Sequence, residues 1–255
     1  MQIPSSGGIY AIAVSVSDGL QVDTADLSAV VSGTRLTTDG VLQIIGTDLR
    51  DVIHVKRQGP NIRVKLSGSS GGSQHLYFPR KDVDSILVYT CGGNDHIHMH
   101  HNVQVSATIN SGTGNDYVIG GSGDDLIRAG AGSDWVFGGN GNNVLLGGAG
   151  HDLLFGGWGR DILIGGTGHD WAFGGSGQDI MIGGSTIHDA DDAALVSIRD
   201  EWASGKSYSV RRQNLLNGSG GGALNGSVFL NAAAVVDDSE YDSLFGGWGT
   251  DWYVN

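Results

Sequence analysis

Two sets of side chains in this sequence have the type and spacing to do metal chemistry. The first is a run of carboxylates at a fixed period: Asp116, Asp125, Asp134, Asn143, Asp152, Asp161, Asp170 and Asp179 follow one another every nine residues. Two positions before each stands a glycine: Gly114, Gly123, Gly132, Gly141, Gly150, Gly159, Gly168 and Gly177. Asp95 and Asp251 occupy the same place in two outlying segments, TCGGNDHIH and GGWGTDWYV. The second set is histidine. His96, His98 and His100 alternate in DHIHMHHN, so on a strand they share one face, and His54 holds the matching place in the earlier DVIH. Neutral imidazole ligates Zn²⁺. A zinc with an open position activates water for hydrolysis.

The carboxylates need a scaffold that repeats as they do. From Ser111 to Ile182 the chain divides without a gap into eight nonapeptides, beginning SGTGNDYVI and ending GGSGQDIMI. Within each unit, glycines at the first, second and fourth positions permit turns and close backbone approach. The three residues after the aspartate are β-branched, aromatic or aliphatic, as a short strand prefers. Two units then make one coil of strand, turn, strand, turn, and coils stack about 4.8 Å apart by parallel pairing. A period of eighteen sorts the acids into two columns. One holds Asp116, Asp134, Asp152 and Asp170; the other holds Asp125, Asn143, Asp161 and Asp179. Carboxylates one strand spacing apart repel unless a cation lies among them. Together with glycine carbonyls they form the oxygen-only shell of a hard, large cation such as Ca²⁺; Mg²⁺ demands tighter octahedral geometry.

The eighth position of each unit (Val118, Ile127, Val136, Leu145, Leu154, Leu163, Ala172, Met181) is expected to point inward as a core ladder. Positions seven and nine then face outward, and they are apolar. One sheet shows Tyr117, Trp135, Trp171, Phe137, Phe155 and Phe173; the other is aliphatic, from Leu126 to Ile182. Apolar patches of that size mark interfaces. The candidate occupants are flanking segments of this chain, a second copy, a neighbouring domain, or a polysaccharide stacked on the aromatic rings.

Composition narrows the classes. Glycine is 45 of 255 residues with only three prolines and no three-residue period, which excludes collagen. Regularly spaced hydrophobics, 39% of the chain, exclude disorder. The net charge of -13 makes nucleic acid and anionic membranes poor partners. Cys91 is the single cysteine, so no disulfide forms within the chain. MQIPSSGG lacks a basic leader and IYAIAVSV is too short to span a bilayer, so neither a cleaved signal nor membrane insertion is expected.

The fold expected is all-β: a parallel β-roll or β-solenoid over 111–184, with an irregular β-solenoid extension over 41–110. Residues 1–40 read as a strand or two and a linker, and 185–255 as a cap. In the cap, DADDAALVSIRDEWASG has a capping aspartate and a glycine stop, giving one amphipathic helix over about 189–204. NLLNGSGGGALNG reads as a flexible loop, VFLNAAAVV as β structure, and a repeat returns at 246–254.

These units resemble the haemolysin-type, or RTX, calcium-binding nonapeptide G-G-x-G-x-D-x-U-x. The resemblance implies several Ca²⁺ ions between adjacent coils on each edge, and a protein exported unfolded by type I secretion that folds in external calcium. Carried over, the intact pairs are Asp116/Asp134, Asp134/Asp152, Asp152/Asp170 and Asp161/Asp179, while Asn143 weakens the sites it shares with Asp125 and Asp161. The 185–255 stretch, with GGSTIHDADDAAL, LNG and GGWGTDW, resembles the C-terminal module of planctomycete-type bacterial surface proteins. The terminal DWYVN is similar to the tail of type I secretion substrates.

Two function classes follow. One is a secreted or cell-surface calcium-binding module without catalysis. The other is an enzyme, a metal-dependent hydrolase built on His54, His96, His98 and His100 with Zn²⁺.

Overall fold

The computed structural model describes residues 33–68 and 72–254, and the backbone alone of Ile9–Ser17 and Val22–Val30. The two N-terminal strands pair antiparallel. Of the expected 1–40 strand-and-linker segment, residues 1–8, 18–21 and 31–32 lie outside the described residues.

From residue 33 the chain winds into two nine-stranded sheets. Each three-residue run after an aspartate becomes the start of a strand, and each glycine pair carries the chain round to the opposite sheet. One sheet, here called aliphatic, stacks Leu126–Gly132, Val144–Gly150, Ile162–Thr167 and Ile180–Ile182 in parallel. The aromatic sheet stacks Tyr117–Ile119, Trp135–Asn140, Leu153–Trp158 and Trp171–Ser176. Val118, Ile127, Val136, Leu145, Leu154, Leu163, Ala172 and Met181 are fully buried between them. That is the inward ladder expected from strand alternation.

The step between coils is 18 residues within the repeats, and it stretches without losing register. Ile86 pairs with Ala107 and His96 with Tyr117, a step of 21. Val52 pairs with His96, a step of 44 that accommodates the antiparallel strands Asn61–Gly68 and Ser73–Pro79. At the other end Trp171 pairs with Ser243 and Ile180 with Trp252, a step of 72. The excess holds the cap.

The cap contains two helices among the described residues, α1 (Asp192–Ala203) and α2 (Tyr208–Asn217). The first is the expected one. Asp191 caps it by accepting from the Ala194 amide at 3.0 Å. The second replaces the start of the expected loop. Its buried residues are Arg211, Asn214 and Leu215, so it has no apolar stripe to announce it. Its stability comes from tertiary partners: the Arg211 guanidinium donates to the Trp202 carbonyl, and Asn214 donates to buried Glu201 at 2.8 Å. VFLNAAAVV also departs from expectation. Only Val235–Val236 is a strand, because Val228 and Ala234 donate their amides locally, to Asn225 and Asn231 carbonyls.

Leu195, Ile198 and Trp202 of α1 bury against Leu126, Val144, Leu146, Ile162, Ile164 and Ile180. Two roll arginines fasten the cap: Arg128 to Asp192 at 2.6 Å, and Arg160 to the Ala203 and Ser204 carbonyls at the end of α1. The aliphatic face is therefore covered by the chain itself. The aromatic face is not: Trp135 and Trp171 are each 53% exposed.

Candidate metal-binding turns

Both predicted columns form, and both extend beyond the strict repeats. Every aspartate from Asp95 to Asp179 in them is buried, while the terminal Asp242 and Asp251 are half-buried, yet each uses one oxygen for the same purpose. Asp134 Oδ1 accepts the amide of Asp116 at 2.7 Å, Asp152 Oδ1 that of Asp134 at 2.9 Å, and Asp170 Oδ1 that of Asp152 at 2.8 Å. On the other edge Asn143 Oδ1 accepts from Asp125 at 3.0 Å, Asp161 Oδ1 from Asn143 at 2.8 Å, and Asp179 Oδ1 from Asp161 at 2.9 Å. Position six thus staples each coil to the next through a side chain.

The first column continues through Asp95 and Asp51 before the repeats, with Asp95 Oδ1 accepting from Asp51 at 2.7 Å. It ends at Asp242, which accepts from Asp170 at 2.9 Å; the second ends at Asp251, which accepts from Asp179 at 3.0 Å. Asp51 and Asp242 were not among the expected ligands. For Asp242 the signal was local: DSLFGGWG has an aspartate, a three-residue strand and a glycine pair. The step of 72 hid it from a count by nine.

The second oxygen is the informative atom. Oδ2 of Asp95, Asp116, Asp134, Asp152, Asp170, Asp161 and Asp179 is buried without a hydrogen-bond partner. Buried polar atoms are almost always satisfied, and an orphaned carboxylate oxygen is costly. Asp125 and Asn143 differ. Asp125 Oδ2 accepts from the Gly121 amide at 3.1 Å, and the Asn143 side-chain amide points a donor at the Gly141 carbonyl at 3.4 Å.

Burial, opposed by the amide donors, raises all of these acids. Asp95, Asp116 and Asp134 are pushed up to about 6, and Asp125, Asp152, Asp170 and Asp179 to about 7. Asp161 is raised well above the carboxylate range. At Asp152 the neighbouring charges of Asp134 and Asp170 add to the desolvation.

The glycines shape the oxygen lining. A β carbon on Gly148 or Gly150 would strike the carbonyl oxygen of Gly130 or Gly132 one coil earlier, and both residues have positive φ, 112° and 134°. Of the expected ligand glycines, Gly114, Gly132, Gly141, Gly150, Gly159, Gly168 and Gly177 have positive φ, whereas Gly123 does not. First-position glycines are needed for a different reason: a β carbon on Gly147 or Gly156 would meet the Oδ2 atom of Asp152 or Asp161. Among the described residues no three His, Cys, Asp or Glu side chains converge on one point. An ion in these turns must therefore draw on backbone oxygens, and the donor set is all oxygen, as Ca²⁺ requires.

The histidines do share a face, as expected, but as a ladder. His54 lies 5.6 Å from His96 and 5.7 Å from His98, ring centre to ring centre; His96 and His98 are 6.5 Å apart, and His98 is 6.3 Å from His100. His96 stacks on Tyr117 at 5.0 Å, nearly coplanar. Burial, reinforced by nearby cationic groups, holds His54, His96 and His98 below the ordinary imidazole value. No three of these side chains meet at a common point among the described residues, so the alternative zinc centre is not supported.

A family model, the RTX calcium-binding nonapeptide repeat of haemolysin type, matches the chain in four overlapping copies, at 107–136, 119–154, 128–163 and 155–185. No curated protein and no solved structure matches the chain. Residues 107–185 are an array of RTX calcium-binding repeats, and the architecture they build is a calcium-binding parallel β-roll.

Proposed function

We propose that this chain is an extracellular or cell-surface module that folds and stiffens when Ca²⁺ enters its glycine–aspartate turns. The observation that carries this is the row of orphaned Oδ2 atoms, seven buried carboxylate oxygens in a chain of net charge -13. In this reading Asp95, Asp116, Asp134, Asp152 and Asp170 hold ions on one edge, with the turns at Gly114, Gly132, Gly150 and Gly168 supplying carbonyls. Asp161 and Asp179 do so on the other edge, with the Gly159 and Gly177 turns; the stretch from Gly123 and Asp125 to Gly141 and Asn143 is its weak part. Asp242 and Asp251 close the two columns.

Calcium dependence supports an outside location. Extracellular calcium modules have Kd values on the order of 10⁻⁴–10⁻³ M, so such turns fill outside a cell and stay unfilled in cytosol. Export of an unfolded chain by type I secretion fits that gradient. No helix among the described residues is long and apolar enough to cross a membrane. The test is a calcium titration of chelator-treated protein, followed by circular dichroism with a parallel count of bound ions. Cooperative gain of β signal at millimolar Ca²⁺ with several ions bound is expected. A fully ordered roll in EGTA would sink the reading.

A further inference from the structure

The calcium reading leaves the outer surface of the aromatic sheet without a role. One row of side chains crosses all nine of its strands in register. From Ile119 it runs through Phe137, Phe155 and Phe173 to Phe245. In the other direction it runs through His98, His54 and Lys65 to His75. At a strand spacing of about 4.8 Å the eight steps span about 38 Å.

The two halves of this row differ in charge. On the repeat side the rings stack on one another, Phe137 on Phe155 at 4.8 Å and Phe155 on Phe173 at 4.9 Å. Trp135 and Trp171 stand in the adjacent row two strands apart, with Leu153 between them. Their separation is about 9.6 Å by strand spacing, the span of a disaccharide unit in an extended pyranose chain. On the N-terminal side the outward face is cationic. His54 lies opposite Lys65, and one of the cross-strand pairs, Lys56 with Arg63, is like-charged. Like charges directly across a strand pair destabilise a sheet. No carboxylate shares that face among the described residues: Asp51 and Asp95 are buried in the first column, and Asp82 and Asp84 flank the turn at Val83. Residues 50–81 hold seven of the chain's fourteen Lys and Arg residues. In an acidic protein this segregation calls for an anion outside the chain.

We infer that the aromatic sheet is a docking surface for a linear acidic polysaccharide, with sugar faces on Trp135 and Trp171 and carboxylates or sulfates against Lys56, Arg63 and Lys65. Stacking on aromatic faces and charge-assisted hydrogen bonds from Arg and Lys are complementary in one polymer that carries both pyranose rings and carboxylates. A polyphosphate or an anionic membrane has a denser charge, which a chain of net charge -13 opposes.

The test uses the full chain in calcium, titrated with a soluble oligogalacturonide. Comparison ligands are an uncharged cello-oligosaccharide, a single-stranded oligonucleotide, and phosphatidylserine–phosphatidylcholine vesicles. Two double variants probe the two halves, Arg63→Gln with Lys65→Gln and Trp135→Ala with Trp171→Ala. All four residues lie off the aspartate columns, so calcium-dependent folding should stay as in the wild type, and this control separates failure here from failure of the calcium reading. The expected result is oligogalacturonide binding that weakens with added salt and falls about tenfold or more in each double variant, with the comparison ligands bound at least about tenfold more weakly. No binding by the wild type would overturn the proposal. So would binding unchanged in either variant, which bridging by calcium at the turns would produce, or equal binding of any comparison ligand.

Discussion

The two edges of the roll share a backbone and differ in charge. Along the first edge, Asp51, Asp95, Asp116, Asp134, Asp152, Asp170 and Asp242 form an unbroken column of acids. Along the second, the column from Asp125 to Asp251 is interrupted by Asn143. At Asn143 the coil-to-coil bond to the preceding amide is kept, at 3.0 Å, while the second side-chain atom becomes a donor. Position six therefore does two separable jobs. One oxygen joins coils and needs no charge; the other is buried without a partner, and in the calcium reading it is the atom that meets the ion. An asparagine retains the first job and gives up the second.

The comparison is sharpest when calcium is withdrawn. In EGTA the repeats should lose most of their β signal, because each filled site contributes about 1.4 kcal/mol at ten times its Kd and several such contributions disappear together. Far-UV circular dichroism with and without calcium measures this. Next comes Asp152→Asn, which keeps the bond to Asp134 but removes an orphaned oxygen beside two acidic neighbours. It should raise the calcium midpoint about tenfold, equivalent to about 1.4 kcal/mol. In EGTA the same substitution should stabilise, since it removes a buried charge. Destabilisation in both conditions would mean that the second oxygen has no ion-related role.

Acid should imitate calcium. The column carboxyls have folded values of about 6 to 7, above the ordinary 3.8, chiefly through burial. A group whose pKa is raised on folding binds protons better in the folded state. Its stabilising contribution is complete below about 3.8 and is lost as pH rises through 6 to 7. Chelated protein should therefore melt at a higher temperature at pH 5 than at pH 8. With calcium present the order should reverse, because protons then compete with the ion. Thermal melts at the two pH values, with and without EGTA, give all four readings.

The smallest effects belong to the second edge. Asn143→Asp should lower the calcium midpoint about threefold and destabilise the roll in EGTA, making that edge behave like the first. Asp125→Asn, at an acid whose Oδ2 already has the Gly121 amide, should change the midpoint less than about twofold. Titrations of these two variants beside Asp152→Asn rank the sites; equal responses at Asp125 and Asp152 would erase the distinction between the edges.

Much of the site was legible beforehand because its causes are local. A nine-residue period with alternating side chains decides which residues point inward, and an eighteen-residue coil decides which aspartates stack. Asp242 was not legible, since the chain leaves the roll after Gly184 and returns to the same register 72 residues on. Nor was α2, whose Arg211 and Asn214 are helical and buried only because Trp202 and Glu201 receive them. That an acid is missing from the second edge at Asn143 could be read from the period alone. That Asp125 is satisfied by Gly121 needed the turn itself.

By itself the amino-acid order determined the coil, its core ladder and the two acid columns, because each depends on near neighbours repeated at a constant interval. Only the tertiary structure decided which apolar face is covered. The aliphatic and aromatic faces are equally outward by alternation, and the difference lies in where a distant helix, fastened by Arg128 and Arg160, comes to rest. It also placed the cationic strands beside the aromatic ones, since a step of 44 residues brings Val52 and His54 alongside His96 and His98. Local preference has no reach over such distances; packing and strand pairing do.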